Sequence, residues 1–196
     1  LLGEQPVHGL AKRYLEELSQ TLRTGTTKSI RYALELLSSH VGKKQKIGEL
    51  STDTGRDILK LISKLSPNVR KDAEAKEASL TKLAELSQTY ESISLTPQTQ
   101  GRIFKQMQRF LDWCVREGEL ESNPWSALSI RAKPEVFPHG VLTDEHVSIL
   151  LKAKDRVLHS ALLFGLLTGM RSGEICGLLA EDIIAKGNLG RFIQIR

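Results

Sequence analysis

The sequence has few cysteines and no long hydrophobic run, and both absences limit the class of protein it can encode. Its 196 residues include 2 cysteines, Cys114 and Cys176, far apart in apolar helical patterns. We expect buried free thiols of an intracellular protein rather than a disulfide or a metal site. No apolar run is long enough to span a membrane, and the N-terminus does not have the pattern of a secretory signal peptide.

The histidines also lack the spacing of metal ligands. The chain has 5 of them: His8, His40, His139, His146 and His159. The sequence therefore predicts no metal site.

Charge and length favour a globular protein with a polyanionic partner. The net charge is +5 and the pI is about 9.2. A hydrophobic fraction of 40% over 196 residues is enough for one large or two small domains. The chain begins at Leu1 without an initiating methionine and ends at Arg196, so we expect a piece of a longer protein.

Apolar residues recur at helical spacing along most of the chain, which predicts a mainly α-helical fold. The predicted helices cover residues 7–22, 26–41, 52–65, 72–87, 96–117 and 158–167. The last is so apolar that we expect it to be buried. Residues 129–141 carry two prolines and no period, which predicts an interdomain linker. Thr143 is the predicted N-cap of the next helix, and residues 192–195 are the first predicted strand.

Residues 166–178 place Arg171 between two glycine-containing turns, directly before a short apolar helix. We expect Gly169 to end the preceding helix, Ser172 to cap the next one, and Glu174 to lie in its first turn. The planar, permanently charged guanidinium of Arg171 matches the oxygens of a phosphate. From spacing alone, Arg171 can equally pair with Glu174 or cap a carbonyl.

The string Thr168-Gly169-x-Arg171-x-Gly173-Glu174, followed by apolar residues at helical spacing and by Asp182, resembles the first active-site arginine motif of tyrosine site-specific recombinases, the phage integrase family. Residues 95–99, 109–118 and 123–124 are similar to the last helices of that family's core-binding domain. The resemblance implies a mainly α protein. Its parts are a helical, SAM-like core-binding domain at 1–130, the linker at 129–141, and the truncated start of a mixed α/β catalytic domain at 142–196.

The same resemblance implies a chemistry. The parent enzyme clamps double-stranded DNA, and its tyrosine attacks a phosphodiester to form a 3′-phosphotyrosyl link before the strand passes to a second duplex. Arg171 stabilises charge in the transition state, and Glu174 supports it. Tyr14, Tyr32 and Tyr90 all precede Arg171, whereas the family's lysine, His-x-x-Arg and nucleophilic tyrosine follow it. We therefore expect this chain alone to be inactive.

The resemblance also implies partners and a location. No metal or nucleotide cofactor is implied, because the covalent bond conserves the phosphodiester energy. The full-length protein is expected to form a homo-tetramer on DNA and not to associate with a membrane. We expect it in the cytoplasm, associated with the nucleoid, as a bacterial or phage-encoded protein.

The helix at 96–117 carries the first candidate DNA surface. At about 100° per residue, four basic side chains fall within an arc of roughly 60°, and we name them the basic stripe: Arg102, Lys105, Arg109 and Arg116. Ile103, Met107, Phe110, Leu111 and Cys114 lie nearly opposite. A cationic face opposite an apolar one suits a helix resting on DNA. Thr99 is a further predicted contact. A solvated face, with Asp112 pairing Arg109 or Arg116, is the alternative.

A second candidate patch combines Lys28 and Arg31, near Thr26, with the basic turn of Lys43, Lys44 and Lys46. In the linker, Arg131 and Lys133 are predicted to contact phosphates. Trp113 and Trp125 are expected to pack in the core rather than stack on bases.

Two other functions remain open from the sequence. One is a DNA-binding regulator on the same scaffold without nucleophilic chemistry. The other is a helical interaction module whose positive charge is incidental. The salt dependence of duplex binding separates the module from both DNA-binding functions.

Overall fold

The protein is mainly helical. Its structure is a computed structural model that describes residues 2–69, 75, 78–89, 94–130, 140–185 and 191–194. The chain divides into two compact units, Leu1–Glu135 and Val136–Arg196. The mainly α fold that the periodicity predicted is confirmed.

The first unit is a bundle around the second of its helices. Its helices are α1 (Val7–Ser19), α2 (Thr24–Val41), α3 (Thr52–Ile62), α4 (Leu80–Ser87) and α5 (Pro97–Arg116), with a 3₁₀ turn at Ile47–Glu49. Helix α2 packs against α1, α4 and α5. Hydroxyl caps begin three of the helices: Ser51, Ser79 and Thr96 accept backbone N–H groups of α3, α4 and α5 at 3.2–3.3 Å.

Four of the predicted helices in this unit match the observed bounds within three residues at either end. The predicted helix at 72–87 is wrong in extent. Helix α4 begins at Leu80, because Ser79 adopts an extended backbone and its hydroxyl accepts the N–H of Lys82. Residues 72–74, 76 and 77 lie outside the described residues.

The core of the first unit lies between α5 and the helices packed on it. The predicted apolar face of α5 is buried: Ile103, Met107, Phe110, Leu111 and Cys114. Burial also raises the pKa of the Cys114 thiol to about 12, which makes it a poor nucleophile.

Both tryptophans are buried in this core, at 2% and 0% exposure for Trp113 and Trp125. The Trp125 ring stacks on Phe104 with centroids 5.5 Å apart, and its Nε1 donates to the carbonyl of Ser51 at 2.9 Å. Trp125 therefore fastens the segment after α5 to the start of α3.

A glycine in α3 makes this contact possible, and replacing it tests the packing. A Cβ on Gly55 would lie 2.6 Å from Cδ1 of Leu128 and 2.9 Å from the Trp125 ring. We expect Gly55→Ala to lower the free energy of unfolding by roughly 1–3 kcal/mol through overpacking, measured by denaturant titration. Gly101→Ala in α5 is the matched control, since no other atom in the part of the chain that the structure describes lies within 4 Å of its Cβ position. It should stabilise slightly, and equal losses in both variants would contradict the contact.

The second unit combines short helices with one hairpin. Its elements are α6 (Asp144–Leu150), α7 (Arg156–Thr168), α8 (Ser172–Cys176), a 3₁₀ turn (Ala180–Asp182) and strands β1 (Ile183–Ala185) and β2 (Arg191–Ile193). The strands are antiparallel, with Ile183 opposite Ile193. The prediction that residues 192–195 form the first strand is wrong, since β1 precedes them. A strand of three residues is too short to show an alternating pattern.

Helix α7 forms where it was predicted, but the expectation that it is buried is wrong. None of its residues is buried, and Val157, Leu158 and Leu167 are 80%, 53% and 81% exposed. An apolar helix needs neighbours on several sides to be buried, and the main partner of α7 among the described elements is the five-residue α8. Cys176 on α8 is exposed for the same reason, contrary to the expected buried thiol.

Candidate nucleic-acid interface

Helix α5 presents the basic stripe to solvent. Arg102, Lys105, Arg109 and Arg116 are all exposed. In the described part of the chain, no carboxylate forms an ion pair with any of them. Asp112, the alternative partner of Arg109 or Arg116, instead accepts a hydrogen bond from Nδ2 of Asn123 at 2.7 Å. Within the described residues, the stripe is therefore a row of cations without paired carboxylates, from Arg102 to the last residue of α5, Arg116.

Helix α1 forms one border of the stripe, which sequence reasoning missed. By helical spacing Trp113 points only about 20° away from Arg102, yet α1 covers it. The indole Nε1 donates to Oε2 of Glu17 at 3.0 Å, and the ring of Tyr14 lies 5.2 Å away, centroid to centroid. The cationic surface thus narrows near the C-terminal end of α5.

Arg13 of α1 neutralises the acidic residues that follow the stripe. Its guanidinium lies 4.9 Å from the centroid of the Trp113 ring, and its nitrogens are 3.3 Å from Glu117 and 3.5 Å from Glu119. Such partly exposed pairs add little to stability. Their main effect is to reduce the negative electrostatic potential of Glu117 and Glu119 that a polyanion would encounter beside Arg116. No local signal predicts a contact between residues 104 positions apart.

The N-terminal cap of α5 uses the predicted contact residue Thr99. Its backbone N–H donates to Oγ1 of Thr96 at 3.3 Å, and the two hydroxyl oxygens are 3.0 Å apart. Thr99 is half-buried. It lies in the first turn of the helix that carries the stripe, and its hydroxyl contacts that of the cap residue Thr96.

The second candidate patch is smaller than the sequence predicts. Lys28 and Arg31 are exposed on α2. Lys46 of the basic turn pairs with Glu4 at 2.5 Å, which raises the pKa of Lys46 and lowers that of Glu4. Lys46 is therefore compensated within the chain. Arg131 and Lys133 lie outside the described residues.

The connector that carries Arg171 begins at the predicted glycine. Gly169 ends α7 in the left-handed conformation (φ +67°), and its N–H donates to the carbonyl of Gly165 at 3.0 Å. The predicted N-cap Ser172 is wrong. Ser172 is the first residue of α8 and Arg171 is the cap, because Oε2 of Glu174 accepts the Arg171 backbone N–H at 2.8 Å.

Glu174 holds Arg171 at two points. Besides the backbone contact, its Oε1 lies 3.1 Å from Nη1 of Arg171. The hydrogen bond from the Arg171 backbone N–H, followed by the contacts with the guanidinium, lowers the pKa of Glu174, so the carboxylate is ionised at neutral pH. The Arg171 side chain remains 86% exposed. The pairing that the spacing left open is thus present, and it leaves most of the guanidinium donors facing solvent.

The described histidines and acids form no metal site. Among the described residues, no group of three or more His, Cys, Asp or Glu side chains is placed to hold a metal ion.

His146 has a structural role at the start of α6. Its Nδ1 accepts the backbone N–H of Thr143, and its own backbone N–H donates to Oγ1 of Thr143, both at 3.3 Å. The predicted cap at Thr143 is therefore confirmed. Within the part of the chain that the structure describes, no helix has both the length and the apolarity to cross a membrane.

The fold of this chain is similar to that of lambda integrase. Among solved structures, it is similar to lambda integrase as a dimer bound to a COC′ core site, with a TM-score of 0.62, 12% identity, and coverage of 97% of this chain and 49% of that chain. A lambda integrase tetramer bound to a Holliday junction gives a TM-score of 0.64, 12% identity, and coverage of 98% and 51%.

The chain spans about half the length of these lambda integrase chains. At 12% identity the likeness shows a shared fold and does not assign any residue. No protein-family model and no curated protein matches the sequence.

Proposed function

We propose that this chain binds duplex DNA as part of a tyrosine recombinase of the phage integrase type. The observation that carries the proposal is the basic stripe: four exposed cations, unpaired within the described residues, lie on a helix whose other face is buried. Such a surface favours binding to a phosphate backbone, because each contact between a cation and a phosphate releases counterions. The fold supports the same function, because the similar structures are of lambda integrase bound to a core site and to a Holliday junction.

In this proposal the units have different roles. Residues 1–130 form the core-binding domain, in which the stripe binds phosphates with help from Thr99, Lys28 and Arg31. The linker at 129–141 adds Arg131 and Lys133. Residues 142–196 form the N-terminal part of the catalytic domain.

Arg171 is the transition-state residue in this assignment, and Glu174 positions it. The tyrosine oxygen attacks the phosphorus, the 5′-hydroxyl leaves, and a 3′-phosphotyrosyl bond conserves the energy of the broken bond. Negative charge grows on the non-bridging oxygens during this step, and a held guanidinium stabilises it. No tyrosine follows Arg171 in this sequence. Since the chain spans about half the length of the lambda integrase chains it resembles, we assign the nucleophile to a longer protein, which assembles as a tetramer on DNA in a bacterial cytoplasm.

Duplex binding across a salt series tests the DNA-binding function. Each neutralised phosphate contributes about −0.9 to the slope of log affinity against log salt, so four stripe cations predict a slope of roughly −3 to −4. Fluorescence anisotropy with a labelled duplex measures it. Undetectable or salt-independent binding would show that the positive charge is incidental.

Reversing one charge in the stripe localises the interface. We expect Arg109→Glu to weaken duplex binding and to make the salt slope shallower by about 1, because one phosphate contact is lost. Lys64→Glu is the matched control, since it changes the net charge equally at an exposed site outside α5. If both variants lose the same affinity, net charge rather than the stripe determines binding.

A further inference from the structure

A groove between α1 and α2 has a chemistry that the DNA-binding surface does not use. Its volume is about 520 Å³, which lies within the range of ligand pockets, roughly 300–1,000 Å³. Ala11, Leu15 and Leu34 supply apolar surface to it. Ala11 and Leu34 are buried and Leu15 is half-buried, so the floor belongs to the packed core of the first unit.

Basic side chains surround this apolar floor. They come from both helices and from the turn after α2: His8, Lys12, Arg31 and Lys43. All four are exposed. Lys12 lies 3.9 Å from Glu16, but both side chains are largely exposed and such a pair is weak. Among the described residues that line the groove, Glu35 is the one carboxylate. The rim therefore carries an excess of positive charge.

The turn after α2 leaves this end of the groove open. Gly42 is the C-cap of α2 with φ +88°, and no atom of the described residues lies within 4 Å of its Cβ position. Two helices with an apolar floor between them provide the shape that accepts a third helix. The groove thus combines an apolar strip for one face of a helix with cations for its polar edges.

We propose that this groove docks an amphipathic acidic helix of a partner protein. Its apolar residues pack on Ala11, Leu15 and Leu34, and its carboxylates face Lys12 and Lys43. The apolar floor favours this partner over nucleic acid, because a duplex backbone offers phosphates and sugars but no apolar side chains. The groove is a protein-docking site on α1 and α2, distinct from the stripe on α5.

A designed helix tests the proposal directly. The probe is a fluorescein-labelled peptide with leucines at positions i, i+3, i+4 and i+7 and glutamates elsewhere. We expect saturable binding in anisotropy titrations, and no binding of a peptide with lysines in place of the glutamates. Lys12→Glu should weaken binding by roughly fivefold to tenfold through repulsion at the rim, and Lys64→Glu should not change it.

Three controls separate this site from the DNA interface. Thermal melts check that Lys12→Glu remains folded. Arg109→Glu should lose duplex affinity and keep peptide affinity, whereas Lys12→Glu should do the reverse. Absence of glutamate-peptide binding overturns the proposal even if DNA binds. A loss of duplex affinity in Lys12→Glu as large as that in Arg109→Glu also overturns it, because the groove would then be a nucleic-acid site.

Discussion

Phe110→Ala is expected to lower the free energy of unfolding by about 3–5 kcal/mol, since truncating a buried phenylalanine removes its burial and leaves a cavity. Phe110 is 0% exposed. Its ring centroid lies 5.7 Å from that of Tyr14 and 6.2 Å from that of Trp113, so it joins α1 to α5. Denaturant titration followed by tryptophan fluorescence measures this loss for the first unit, because the chain has 2 tryptophans and both lie there.

The adjacent residue provides the matched control. Arg109 is exposed, so Arg109→Glu should change stability by no more than about 0.5 kcal/mol. Phe110→Ala should lower the denaturant midpoint, and Arg109→Glu should leave it in place. Comparable shifts in the two variants would mean that the two faces of α5 are wrongly assigned.

Helix α5 was predictable because its cap, its first turn and its hydrophobic pattern all predict the same helix. Thr96 caps it, Pro97 occupies its first turn, and buried and exposed residues alternate with a helical period over 20 residues. The observed helix differs from the predicted one by a single residue at each end. A long amphipathic pattern fixes which side chains face the core, and with them which cations face solvent.

Contacts between distant segments were not predictable. Helical spacing places Trp113 close to the stripe, yet Tyr14 and Glu17 of α1 bury it. The pairing of Arg13 with Glu117 and Glu119 likewise requires the tertiary fold. In the second unit, apolarity predicted helix α7 correctly but not its exposure, since burial depends on the neighbours available to cover a helix.

At the arginine connector, the residue types were predictable and the hydrogen bonds were not. Gly169 has the expected left-handed conformation. Ser172 was the expected cap because serine usually serves there. The observed cap is Arg171, because Glu174 three residues later reaches back to the Arg171 N–H. Both residues had been singled out, but their mutual geometry required the fold.

The largest effect on activity is expected from Arg171→Ala in a longer recombinase that contains this chain and a downstream nucleophile. Strand cleavage should slow by on the order of 10²–10³-fold or more, the loss typical when one group that stabilises transition-state charge is removed. Duplex binding should change little, because the guanidinium acts mainly on charge that develops in the transition state. The connector should persist, since the contact of Glu174 with the backbone N–H at position 171 does not need the arginine side chain.

A suicide substrate that traps the covalent protein–DNA adduct measures this loss. Arg171→Lys is the conservative control. It keeps the charge without the planar fork, so it should recover only part of the rate. Wild-type adduct levels from Arg171→Ala would overturn the assignment of Arg171.

The 196-residue polypeptide should form no adduct, because no tyrosine follows Arg171 within it. Adduct formed by that polypeptide would place the nucleophile among Tyr14, Tyr32 and Tyr90. If the longer protein with Arg171 intact bound DNA but formed no adduct, the scaffold would serve a regulator rather than a recombinase.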